Sequence, residues 1–252
     1  MGVTGTVSLP FLGLLACPLC RGELVEERAR LVCNACARTF PVSDGVPDLL
    51  PSAPPLERAP GIVGRALSRL VAMPRVYDTV QRVAGAAESR RRLRRALDDV
   101  DGAVVLDVGG GTGTLESILP PQTQYMWLDT DVEKLEGFRA RSTSPAILGD
   151  ATQLPLADDS VDWAISSGVS HHLDDEQLDR MLDEMRRVTR EGIVFLDAVA
   201  ARAPVTRLMW RYDRGRNVRP ARELWQRLSS RFEIVTAEEY RLLHRYILVR
   251  GV

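Results

Sequence analysis

Apolar residues along this chain gather in short runs that end at acids or glycines. Val104-Val105-Leu106 leads into Asp107 and Val108, and glycine then fills four of the next five positions, Gly109, Gly110, Gly111 and Gly113. Gln124–Asp129 and Val161–Ser166 are further runs, the first closing on Asp129, and Ile193–Ala198 is another. Runs of this length rich in β-branched and aromatic residues predict strands buried on both faces. Between them, residues 175–190 place Leu178, Met181, Leu182, Met185 and Val188 at helical spacing, one apolar stripe on a charged background. Asp174 and Gln177 predict a capping box, acids fill the first turn, and Arg186, Arg187 and Arg190 the last. Gly192 reads as the helix stop. A helix is also predicted directly after the glycine turn and over Ile62–Val100, broken near Pro74, and Arg241–Val249 reads as a final strand. Strands alternating with helices predict an α/β fold, a doubly wound and mostly parallel sheet.

Glycines at the end of a strand let the backbone turn sharply and approach a ligand without a Cβ in the way. The dinucleotide fingerprint G-x-G-x-x-G fails, because Thr114 stands where its third glycine would be. The pattern present is D-x-G-x-G-x-G. On Asp107, Gly109, Gly111 and Gly113, followed by Asp129, by Leu148-Gly149-Asp150-Ala151 and by the strand at Val161, the chain resembles the class I methyltransferases that use S-adenosylmethionine (SAM). The resemblance implies that Asp107 faces the cofactor's ammonium group and that Gly109, Gly110, Gly111 and Gly113 lie along it. It further implies that Asp129 accepts from the ribose hydroxyls, that Asp150 accepts from the adenine amino group, that Ala151 and Ser167 line the site, and that the strand Arg241–Val249 lies antiparallel at the sheet edge.

All four cysteines fall in two C-x-x-C pairs, Cys17/Cys20 and Cys33/Cys36. Four thiolates in this arrangement suit a closed tetrahedral Zn²⁺ site, whereas a redox C-x-x-C would open a helix. Leu15–Pro51 resembles the Trm112-like zinc ribbons. A module this small needs help to fold, and structural Zn²⁺ contributes on the order of 10–16 kcal/mol. The implied organisation is a zinc ribbon over residues 1–52, a linker and helical cap over 53–100, and a methyltransferase domain over 101–252. Because the cofactor motifs lie outside the ribbon, Cys33→Ser is expected to leave cofactor affinity mostly intact.

The net charge of −1 hides an asymmetry: residues 101–200 carry nineteen acids against seven bases, and residues 201–252 twelve bases against five acids. Arg90–Arg95 reads as a solvated helix face or an anion patch. Arg207–Arg219 holds five arginines beside Trp210 and Tyr212, which suits an anionic substrate. The chain has no apolar run of membrane-spanning length and no signal-peptide pattern, so a cytoplasmic protein without membrane association is expected.

His171 and His172 sit in the loop after the fourth strand and are the candidate catalytic residues, because imidazole accepts a proton near neutral pH. Similar His-His-Leu segments occur in methyltransferases related to the ubiquinone-biosynthesis type, where one ring could instead cap the following helix. The expected activity is methyl transfer to a small-molecule acceptor, a hydroxyl first. The ribbon-plus-catalytic order and the Cys-Pro-Leu-Cys opening also resemble the 23S rRNA guanine-N1 methyltransferases, which makes nucleic acid the runner-up acceptor. A SAM-binding scaffold that docks a partner through its ribbon is the third reading.

Overall fold

The computed structural model describes residues 9–51, 86–200, 217–241 and 245–252. The first of these segments forms four short antiparallel strands, β1 (Leu24–Glu26), β2 (Arg30–Cys33), β3 (Thr39–Ser43) and β4 (Val46–Pro47), in that order. The body carries α1 (Ala86–Ala96), β5 (Val104–Val108), β6 (Gln124–Asp129), α2 (Val132–Arg139), β7 (Ala146–Leu148), β8 (Val161–Ser167) and α3 (Asp175–Val188). It ends with β9 (Thr189–Val199), α4 (Ala221–Ser229), β10 (Ile234–Arg241) and β11 (Arg245–Gly251). The seven-stranded sheet runs β10-β11-β9-β8-β5-β6-β7. β5 through β9 are parallel, β11 pairs antiparallel with β9, and β10 antiparallel with β11. The carboxyl ends of β5, β6, β7 and β8 therefore share one edge of the sheet.

Several expectations are met in detail. Gln124–Asp129 is a strand to the residue, and α3 buries Leu178, Met181, Leu182, Met185 and Val188 behind the Asp174–Gln177 capping box. Others are corrected. The glycine turn leads only into a 3₁₀ turn at Glu116–Ile118, because Pro120 and Pro121 follow at once and cannot continue a helix. α3 stops at Val188, and Gly192 lies inside β9, where a Cβ would meet the Gly251 carbonyl oxygen at 2.2 Å. Its glycine serves strand packing and does not end the helix. The sheet edge is β10, with β11 one place inward. Of the helical segment 62–100, only α1 and the turn after it are described, and of Arg207–Arg219 only residues 217–219, with Arg219 the one arginine among them; residues 207–216 and His244 lie outside the described residues. No helix among those described is long and apolar enough to cross a membrane.

The cysteine-bearing segment is built into the body. Leu15, Leu24, Leu31, Phe40 and Leu49 share one buried cluster with Leu106, Leu128, Ile147, Leu154 and Leu156. β4 runs on beside β7, where Leu49 N–H donates to the Leu148 carbonyl at 2.8 Å. Ala16 N–H donates to Pro155 O at 3.1 Å, and Ala157 N–H to Leu14 O at 2.9 Å. Arg21 reaches Glu184 on α3 at 3.0 Å, and Arg187 ties Glu184 to the Leu154 and Leu156 carbonyls. These bonds bracket residues 148–157, the stretch that contains Asp150, so the structure removes the reason for expecting cofactor affinity to be independent of the cysteines.

Candidate active site and metal centre

β5 delivers the chain into the glycine turn, where Gly109, Gly111 and Gly113 all have positive φ (73°, 55° and 71°). A Cβ on Gly109 would come within 2.5 Å of Val169 Cγ2, so the turn can touch the loop after β8 only as glycine. At Gly111 the nearest atom to such a Cβ would be 4.0 Å away, which leaves open space over the middle of the turn. That open, backbone-walled surface is what a flat cofactor requires.

Asp129, at the end of β6, lies under this space. Its carboxylate accepts from Gly111 N–H at 2.9 Å and Asp131 N–H at 3.1 Å, with Lys134 Nζ at 3.7 Å. Asp150 follows β7, half-buried, and one of its oxygens accepts from both the N–H and the hydroxyl of Thr152 at 2.8 Å. Ala151 and Ser167 are half-buried, Ser167 as the last residue of β8. Asp107 is set deeper, 1 % exposed, and Tyr125 donates its hydroxyl to it at 2.5 Å. Burial pushes the Asp107 carboxyl up to about 7, with the Tyr125 bond opposing that rise and the Asp129 charge adding to it. The parallel register thus brings every sequence-derived cofactor residue to one edge, although Asp107 sits beneath the glycine turn. Sequence reasoning missed Tyr125 and Trp127, whose indole N–H donates to Gly111 O at 2.9 Å and fixes the turn from below.

The two histidines are unlike. They occupy the 3₁₀ turn Ser170–His172, with His171 buried and His172 exposed, their ring centres 4.3 Å apart. His171 Nδ1 lies 2.7 Å from Asp197 Oδ1 on β9, and Asp197 Oδ2 accepts from the N–H and hydroxyl of Ser170. Asp174, and neither imidazole, caps α3. Arg219 is buried and bonds Asp175 and the carbonyls of Ser170, Leu173 and Asn217. It therefore holds the loop and is not a substrate-gripping arginine. Asp197, on β9, is the side chain bonded to this loop that sequence reasoning missed, and Arg219 holds the loop where the sequence suggested a grip on an anionic substrate. The available signal for Asp197 was an acid closing an apolar strand, the same sign that marked Asp107 and Asp129.

In the ribbon, the four cysteine Sγ atoms lie within 4.8 Å of one another, with Cys17–Cys36 at 3.8 Å and Cys20–Cys33 at 3.5 Å. Zn–S bonds of about 2.3 Å in a tetrahedron put sulfurs about 3.8 Å apart, so the set fits Zn²⁺. Arg21 and Ala37 take positive φ (60° and 57°) just past each pair and fold the knuckles around the thiols. Gly22 is required between them, since a Cβ there would lie 2.9 Å from Cys33 Sγ. The site is closed by four protein ligands, and its role is structural.

Residues 106–196 match the family described as a methyltransferase domain, and residues 9–45 match Trm112p-like proteins. A demethylmenaquinone methyltransferase of Paenarthrobacter aurescens is 36% identical over 122 residues, 46% of this chain and 47% of that protein. A methyltransferase of Mycolicibacterium vanbaalenii, itself uncharacterized, is 36% identical over 119 residues, 46% of this chain and 44% of that protein. The chain thus spans about half the length of these curated relatives. Among solved structures, the Bradyrhizobium japonicum N-methyltransferase NodS aligns with a TM-score of 0.54 at 17% identity, over 66% of this chain and 94% of that one. A structure of the Haloferax volcanii Trm112 methyltransferase activator in complex with a protein described as a methyltransferase aligns with a TM-score of 0.56 at 17% identity, over 70% of this chain and 95% of that one. The chain thus carries one stretch similar to a methyltransferase domain, on the fold of the solved methyltransferases, and one similar to Trm112p-like proteins.

Proposed function

We propose that this protein transfers a methyl group from SAM to a small-molecule acceptor, with a hydroxyl as the group methylated. The observation that carries the reading is the convergence of the glycine turn, Asp129 and Asp150 on one edge of the sheet beside a buried imidazole. Asp129 would take the ribose hydroxyls, Asp150 the adenine amino group, and Asp107 the ammonium group through the glycine turn. Holding acceptor and methyl donor in line supplies most of the rate in such a transfer, and a base is needed only where the acceptor must lose a proton. The ribbon would act as a fixed wall of the cofactor site, since its bonds hold residues 148–157 in place.

RNA is the second reading, favoured by one observation. Arg90, Arg139 and Arg141 line an open cleft of about 680 Å³ beside Gly113, and Arg91, Arg94 and Arg95 are exposed on the same helix as Arg90. A scaffold docking a partner through its ribbon is less well supported, because one face of the ribbon packs on the chain's own body. Labelled SAM incubated with a metabolite extract and, separately, with ribosomal RNA fragments tests the choice. Label in a small molecule is expected. Label in RNA, lost when Arg90, Arg91, Arg94 and Arg95 are neutralised, would reverse the ranking, and a protein that binds no SAM by calorimetry would end both enzymatic readings.

A further inference from the structure

Asp197 is a fully buried carboxylate among apolar strand neighbours, and both of its oxygens face the loop that carries the histidines. Oδ2 accepts from Ser170 N–H at 2.7 Å and Ser170 Oγ at 2.6 Å, and Oδ1 faces His171 Nδ1 at 2.7 Å and accepts from Ala198 N–H at 2.6 Å. The reason for its placement is the sheet register. β8 ends at Ser167 opposite Leu196, so Asp197 stands one residue beyond its neighbour strand, where the turning chain passes over it. Burial opposes its ionisation, but His171, Ser170 and the Ala198 N–H together hold its carboxyl below the usual carboxylate range. An acceptor-only carboxylate beside Nδ1 requires that nitrogen to carry the proton.

The same loop abuts the cofactor cradle. Val169, two residues before His171, is the residue that a Cβ on Gly109 would strike, and Gly168 turns with φ 73° to bring His171 back against Asp197. Arg219 closes the other end by bonding the Ser170 and Leu173 carbonyls, and Asn217 N–H donates to His171 O at 3.0 Å. An imidazole fixed on both sides in this way is preorganised, which an exposed loop histidine is not.

We propose that Asp197 is a positioning residue that holds His171 as the Nδ1–H tautomer, making His171 rather than His172 the base for the methyl acceptor; this rests on the proposed small-molecule reading. With Nδ1 protonated, the ring's lone pair is on Nε2. As the acceptor oxygen bonds to the methyl carbon, the methyl–sulfur bond breaks with its electron pair staying on sulfur, and the hydroxyl proton passes to Nε2. The positive charge lost by the sulfonium is then carried by an imidazolium next to the Asp197 carboxylate, and it leaves as a proton to water. Among the described residues, the charged or titratable groups around this turn are Asp197 from β9, His172 from the turn itself, Arg219 and its partner Asp175 at the start of α3. The Arg219 charge is met by Asp175 and Glu223, and the Asp197 carboxylate lies against His171 Nδ1.

The test uses the full chain with ¹⁵N-labelled histidine, SAM calorimetry, and label transfer from SAM into a metabolite extract at saturating cofactor. Wild type should show His171 as Nδ1–H. Asp197→Asn should move the acidic limb of the pH profile to lower pH, because an imidazolium that forms there loses its carboxylate partner. It should also cut label transfer at least about a hundredfold, while the SAM dissociation constant stays within about threefold. If Asp197→Asn does not fold, His171→Ala against His172→Ala makes the same discrimination, with only the first losing transfer. An Nε2–H tautomer in wild type, undiminished transfer in Asp197→Asn or His171→Ala, or SAM binding with no acceptor labelled would each overturn the proposal. A wild-type protein that binds no SAM would sink the proposed function instead, whatever the tautomer.

Discussion

Replacing Asp107 with Asn should stabilise the protein at neutral and alkaline pH while weakening the cofactor site. The Asp107 carboxyl is buried under the glycine turn with one hydroxyl partner, and burial pushes it up to about 7 from 3.8. Its folded pKa thus lies above its unfolded one, and between pH 4 and 7 the native state binds more protons than the unfolded state. Stability must then fall as pH rises through that window, with no penalty below pH 4 and the full penalty above 7. A difference of about 3 units at about 1.4 kcal/mol each is about 4 kcal/mol. Asparagine is nearly isosteric, stays neutral, and still offers Tyr125 an oxygen. Urea denaturation of both proteins from pH 4.5 to 8.5 should show curves that are close at the acid end and separate by up to about 4 kcal/mol at the alkaline end, the variant being the more stable. SAM binding should show the opposite order, because the ammonium group would favour an ionised Asp107. Wild type should then release protons on binding near pH 7, read as a dependence of the calorimetric enthalpy on the ionisation heat of the buffer, and Asp107→Asn should not. Parallel denaturation profiles across the pH range would refute the burial argument, and proton release of equal size in the variant would refute the assignment to Asp107.

Other outcomes follow from the same geometry. Elemental analysis should find one Zn per chain, and two native disulfides without metal would end that assignment. Cys33→Ser or chelation should weaken SAM binding about tenfold, about 1.4 kcal/mol, as the interface hydrogen bonds that hold residues 148–157 are loosened; an unchanged dissociation constant would restore the independence of ribbon and cofactor site. Asp129→Ala should weaken SAM at least roughly tenfold, since bonds to charged groups are worth about 1.5–3 kcal/mol. Gly109→Ala should cost about 1–3 kcal/mol from its positive φ in addition to its contact with Val169, and Gly109→Ala with Val169→Ala should recover only the contact part in thermal unfolding.

What the sequence made legible is what local chemistry and period encode. The glycine turn, the acids at the ends of β5 and β6 and the two C-x-x-C pairs each carry their meaning within a few residues, and parallel pairing then forces the strand-end acids onto one edge. The α3 stripe and its capping box are local in the same sense, and both were readable to the residue. The features that escaped depend on partners far along the chain. Nothing near Gly192 in the sequence says that the carbonyl of Gly251 will lie against it, so a glycine after a helix reads as a stop. Arg219 looked like one more arginine in a basic stretch, yet its guanidinium is enclosed by carbonyls brought from the loop after β8. The ribbon's attachment was hidden for the same reason. A segment that needs a metal to fold reads as self-contained, whereas its Leu15, Leu31 and Leu49 complete the core that Leu128 and Ile147 begin. Asp197 lies between these cases. Its position near a strand end is visible, but an acid there can face either a ligand or a neighbour, and only its place as the first residue of β9 past the end of β8 turns it to the imidazole. The distinction between a cofactor acid and a positioning acid is thus one of register, a property of paired strands that no single strand displays.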